Sequence, residues 1–88
     1  MKSNNTDISK IGKYTIYKKS SMRGWAIIIM PSKIRIDNFH GFPHIHYSLK
    51  GKHQPIKVNK LNKAFEIVTN HILNNETVNK EKLKGELS

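Results

Sequence analysis

The chain has 88 residues and no cysteine, so it is sized for one small domain and has no disulfide, thiolate nucleophile or cysteine-ligated zinc. Its 36% hydrophobic and 25% charged residues exclude a disordered composition, and its longest apolar run, WAIIIM, is far too short to cross a bilayer. Sixteen Lys and Arg against six Asp and Glu give a net charge of +10, which points to a nucleic acid or an acidic protein as partner.

The charge is uneven. Residues 1–58 hold eleven basic and two acidic residues, while residues 74–88 hold three of each. The positive field therefore belongs to the first two thirds of the chain. The opening MKSNNTDISK has no apolar signal region, and a soluble, cytoplasmic protein is expected.

In chain order, residues 1–12 are polar and read as a flexible N-terminal segment. KYTIYKKS (13–20) is rich in Tyr, Ile and Thr and reads as a strand. GWAIIIM (24–30) is apolar on both faces and reads as a central strand, with Trp25 in the core and Pro31 and Ser32 breaking it. KIRID (33–37) alternates, with Ile34 and Ile36 on one face and Lys33, Arg35 and Asp37 on the other. NFHGFP reads as a loop, HIHYSL (44–49) as a strand, KGKHQ as a hairpin turn using Gly51, and PIKV (55–58) as a short returning strand.

The period then changes from two to between three and four. Leu61, Ala64, Phe65, Val68 and Ile72 form one helical stripe, with Asn59 suited to its N-cap and Asn74 and Asn75 to its end. Residues 76–88 are a polar, charge-balanced tail. The expected fold is α+β: about four mostly antiparallel strands, packed on one C-terminal amphipathic helix within a single domain over 13–75.

The densest chemistry lies in RIDNFHGFPHIHY (35–47), where three of the five histidines fall. Alternation puts Ile45, Tyr47 and Leu49 on the core face and His44, His46 and Ser48 on the other, beside Arg35, Asp37 and Lys57. Two histidines at i and i+2 on a strand have Cα atoms roughly 6.5–7 Å apart, so both rings can reach one point. Imidazole exchanges a proton near neutral pH, and a neighbouring cation can neutralise charge developing on a phosphate. Such a set can cleave RNA without metal. The same residues also suit zinc, with a third ligand from Asp37, His40 or His53. They equally suit a solvated polar face. Two-metal magnesium chemistry is disfavoured, because only Asp7 and Asp37 are acidic ahead of the helix.

On these residues the catalytic candidates are His44, His46 and Asp37. The nucleic-acid-binding candidates are Arg35, Lys33, Lys57, Lys18 and Lys19, and no metal or other cofactor is expected. Tyr17 or Tyr14 is a candidate for base stacking, while His71 reads as a boundary residue of the helix and His53 as a solvated turn residue.

The order RIDN…HG.PHIH…G…PI.V..L..AF..V...I, from Arg35 to Ile72, resembles the TumE-like toxins of bacterial and archaeal toxin–antitoxin pairs. Asp37 and Asn38 match that family's first short element, and His44 and His46 match its H-x-H. Ile36 stands where an aromatic is usual, and Pro43 where Asp is frequent. The resemblance implies a sheet followed by a helix, and a growth-inhibiting protein that acts on RNA and is held by an antitoxin. A non-catalytic nucleic-acid-binding module, or a basic inhibitor from a phage or mobile element, remains the alternative.

Overall fold

The computed structural model describes residues 5–47 and 53–88. Among these, six strands form one antiparallel sheet in the order in which they occur: β1 (Asn5–Ile11), β2 (Tyr14–Ser21), β3 (Gly24–Met30), β4 (Ile34–His40), β5 (Phe42–Tyr47) and β6 (His53–Pro55). Two helices follow, α1 (Leu61–Asn75) and α2 (Lys80–Leu87). The α+β class is as expected, but the sheet is wider than four strands and there is a second helix.

Alternation explains the layers. Tyr14 and Ile16 of β2, Trp25, Ile27 and Ile29 of β3, Ile34 and Ile36 of β4 and Ile45 of β5 all turn to one face. There they form a cluster with Ala64, Val68 and Ile72 of α1 and Leu83 and Leu87 of α2. Fully burying one such isoleucine contributes roughly 1.5–3 kcal/mol, so this aliphatic layer is the main source of stability in a small domain. No helix among the described residues is long and apolar enough to cross a membrane.

Several segments differ from their sequence reading. The stretch assigned to a flexible N-terminus carries β1, whose residues pair with β2 from Asn5↔Ser20 to Ile11↔Tyr14. Polarity misled there, because an edge strand needs few buried side chains when its backbone is paired. The loop expected over NFHGFP is instead the end of a hairpin. β4 and β5 are separated by Gly41 alone, at φ 92°, with a bulge between Asp37 and His40. β6 covers residues 53–55 rather than 55–58, so Lys57 follows the sheet. The expected turn KGKHQ, with its Gly51, and the strand end at Ser48 and Leu49 lie outside the described residues, apart from His53 and Gln54.

The turn between β3 and β4 contains a cis Met30–Pro31 bond and Lys33 at φ 64°. Lys33 is thus a turn residue, not the first member of the alternating strand. Gly24 opens β3 at φ 150°, and a side chain there would run into Asn38 Oδ1. Asn38 Oδ1 accepts a 2.7 Å hydrogen bond from Trp25 N, so the bare glycine lets the bulged end of β4 clamp β3.

Asn59 does not cap α1. The N-cap is Lys60, without a side-chain cap bond, and Asn59 Oδ1 accepts instead from Asn38 Nδ2 at 3.1 Å. The helix ends at Asn75, and Glu76 closes it in the left-handed region at φ 62°.

The polar tail becomes α2 because His71 gives it an anchor. His71 is 1% exposed, not a boundary residue. Asn79 N donates to His71 Nε2 at 3.0 Å, and His71 Nδ1–H donates to Glu86 Oε1 at 3.0 Å. Both ring nitrogens are therefore used by one neutral tautomer. Val78 N donates to Tyr14 Oη, and Lys57 N and Val58 N both donate to Leu87 O. Leu83 and Leu87, both fully buried, complete the attachment.

Replacing His71 with Ala should destabilise the fold by about 3 kcal/mol, since it leaves a cavity in place of a buried ring and removes the acceptor of the Asn79 N–H. Chemical denaturation of the two proteins measures this. A loss below about 1 kcal/mol would show that α2 is not held through His71.

Candidate active site

The sheet face opposite the helices collects the candidate residues, and the strand register fixes which of them meet. Arg35 pairs with His46, Asp37 with His44, and His46 in turn with His53. A row therefore crosses the sheet as Tyr17, Ile28, Arg35, His46 and His53. Beside it runs Lys19, Ala26, Asp37, His44 and Pro55.

Three imidazoles converge at the β5–β6 end. The ring centroids of His44 and His53 are 5.0 Å apart, those of His46 and His53 5.3 Å, and those of His44 and His46 6.3 Å. The sequence reading offered His53 only as one possible third zinc ligand or as a solvated turn residue. Placing the hairpin turn at 50–54 put His53 within the turn. Starting the returning strand at His53 sets it directly across from His46.

Asp37 lies beneath this cluster. It is 1% exposed, so its carboxylate must be matched by partners rather than by water. Arg35 Nε–H meets Oδ2 at 2.9 Å, and Phe39 N donates to Oδ1 at 3.3 Å. His46 Nε2 lies 3.2 Å from the same Oδ2. That contact has the length of an ion pair but not the alignment of a hydrogen bond, and Nε2 is a buried ring nitrogen without a hydrogen-bond partner among the described residues. The Asp37 carboxylate is thus turned to Arg35, the Phe39 backbone and His46 rather than to solvent. Its contacts place it to hold Arg35 and His46.

The two histidines of the H-x-H differ. His44 Nδ1–H donates to the backbone oxygen of Phe42 at 2.8 Å. A carbonyl only accepts, so Nδ1 carries the proton and Nε2 is the nitrogen left for exchange. His46 is held below the ordinary imidazole value of about 6.5. Burial is the main cause, with Arg35, His53 and His44 adding to it and the Asp37 carboxylate opposing it. His46 is thus neutral at pH 7.

The remaining cations divide. Lys19 and Arg35 stand on the open face with the histidines. Lys18 lies on the helix side, with Nζ 4.8 Å from the Phe65 ring centroid and 3.4 Å from Asn62 Oδ1. It is spent on packing α1, because adjacent strand residues cannot share a face. Lys33 projects from the β3–β4 turn and Lys57 from the segment after β6, and neither belongs to the paired rows. Tyr17 lies on the open face and Tyr14 is buried on the other.

Among the described residues, no group of three or more His, Asp or Glu side chains is arranged to hold a metal ion.

No protein-family model matches the chain, and neither a curated protein nor a solved structure matches it.

Proton NMR should place the His46 midpoint below 6.5, with Arg35→Gln moving it upward because one repelling charge is removed. Because the folded state binds this proton less readily than the unfolded state, His46 contributes stability above about pH 6.5 that is lost as pH falls through its folded value. Stability should therefore decline between pH 7 and pH 5 less steeply in His46→Gln. A His46 midpoint at or above 6.5 would contradict this account.

Proposed function

We propose that the protein is a metal-independent ribonuclease that uses His44 and His46 as its acid–base pair. The observation that carries the reading is the pairing of a neutral, half-buried imidazole with a second imidazole on the open, cationic sheet face, with Arg35 beside them. RNA contains its own nucleophile, the 2′-hydroxyl, so the protein needs a base, an acid and a cation, and no covalent intermediate.

His46, neutral by burial, is suited to take the proton from the 2′-hydroxyl. The 2′-oxygen then attacks the adjacent phosphorus as the bond to the 5′-oxygen breaks. His44, with Nδ1–H anchored on the Phe42 carbonyl, enters as the imidazolium and gives the leaving 5′-oxygen a proton from Nε2. The products are a 2′,3′-cyclic phosphate and a 5′-hydroxyl. Arg35 has donors beyond the Nε–H given to Asp37, and these meet the phosphate charge that grows in the transition state. Asp37 acts through His46 and Arg35 as a positioning residue.

The charge distribution supports an RNA partner. All four glutamates lie in α1, α2 or the turn between them, while Asp37, already ion-paired, is the acid of the catalytic face. The resemblance to TumE-like toxins extends the proposal to a growth-inhibiting component counteracted by an antitoxin.

Incubated with single-stranded RNA and a chelator, the protein should yield fragments with cyclic-phosphate and 5′-hydroxyl ends. His44→Ala and His46→Ala should each lower the rate about 10²–10⁴-fold, the usual loss when one proton-transfer group is removed. Expression of wild type, but not of these variants, should slow growth. Binding that falls steeply with salt, without any cleavage, would replace this reading with that of a non-catalytic nucleic-acid-binding module.

A further inference from the structure

Next to the histidines, the same face contains a hollow of about 370 Å³. Ala26 and Ile28 of β3 line it, with Lys19 and Ser20 of β2 on one side and Arg35 and Phe39 of β4 on the other. Ala26, 2% exposed, is the shortest apolar side chain of its lining. In the register this methyl group stands between Lys19 and Asp37, where a β-branched residue would be usual for a central strand. The short side chain leaves room between its longer neighbours.

The lining has a specific chemistry. Phe39 presents an aromatic ring, with the Arg35 guanidinium carbon 5.7 Å from its centroid. Lys19 and Arg35 supply two cations. The nearest acid on this face, Asp37, is buried and already paired with Arg35, so the hollow stays positive. Arg35 belongs to two places at once: it lines the hollow and pairs with His46 in the sheet.

We propose that this hollow holds the base of a nucleotide of single-stranded RNA, next to the bond that the histidines cleave. The inference rests on the ribonuclease reading for the position of that bond, but not for the base site itself. A ring and a cation pair recognise a base and its flanking phosphates through stacking and charge. A duplex is excluded, because its bases are stacked inward and a hollow on a sheet face can receive only a base that is splayed out. The strand therefore crosses the sheet, with one base in the hollow, its phosphate at Arg35 and the scissile linkage over His44 and His46.

The test uses a fluorescent single-stranded 2′-O-methyl oligonucleotide, which binds but cannot be cut because its 2′-oxygen is blocked. Ala26→Ile fills the hollow without removing a charge, and Lys19→Ala removes one exposed cation with no packing role. By fluorescence anisotropy, Ala26→Ile should weaken binding at least 10-fold and Lys19→Ala several-fold. The same oligonucleotide annealed into a duplex should bind wild type at least 10-fold more weakly than the single strand. Equal binding by wild type and a folded Ala26→Ile protein would overturn the proposal, even if cleavage is observed. Should Ala26→Ile not fold, wild-type affinity for an oligonucleotide made wholly of abasic nucleotides decides: unchanged affinity overturns the proposal, and a 10-fold loss supports it. Equally tight binding of a poly-glutamate peptide would also overturn it, since charge alone would then suffice. Binding that is lost in Ala26→Ile, together with intact RNA in the chelator assay, would keep the base site and reject the cleavage reading.

Discussion

A strand residue can turn its side chain to only two places, and in this protein helices cover one of them. That constraint organises the molecule. Every second residue of the central strands must be apolar enough to pack against α1 and α2, and isoleucine supplies most of that layer. The residues between them face a surface that no described helix covers, so they are released from packing and can carry charge and titratable groups. Arg35, His44 and His46 are neighbours because Ile34, Ile36 and Ile45 are core residues.

The open face is not simply a wet surface, and the difference lies in Asp37. A carboxylate at 1% exposure is costly unless its oxygens are matched. Here Arg35, the Phe39 backbone and the His46 ring gather around it. The same burial that demands those partners lowers the affinity of His46 for a proton more than the neighbouring carboxylate raises it. Two chemically identical side chains on one strand thereby come to differ. One is anchored through Nδ1 on a carbonyl, and the other is kept neutral by desolvation. In the proposed reaction that difference separates acid from base.

The helices have an electrostatic role as well as a packing one. They and the turn between them carry the glutamates, whereas the sheet carries Lys19 and Arg35. The second helix is short and polar, and it is held through a buried histidine that uses both ring nitrogens. Of the cations in the first two thirds of the chain, Lys19 and Arg35 stand on the open face, whereas Lys18 packs on the helix side.

Much of this was legible in the sequence. The double-faced apolar run at 24–30 meant a central strand, the alternation in 34–37 and 44–46 sorted core from open face, and the stripe from Leu61 to Ile72 meant one buried helix face. These signals are local, since each depends on a period that the backbone imposes by itself. What required the tertiary structure was non-local. Whether the polar 5–11 segment is ordered depends on a neighbour offering its backbone. Whether His53 belongs with His44 and His46 depends on the register across β5 and β6, where a shift of the turn by two residues moves it in or out. The fate of the tail depended on Tyr14 and His71, distant residues with hydrogen-bonding capacity to spare. The depth of Asp37 and the hollow over Ala26 likewise follow from what four adjacent strands place around them. The sequence by itself determined which residues could share a face. Only the packed sheet decided which of them touch, because pairing register and desolvation are properties of neighbours brought together from far along the chain.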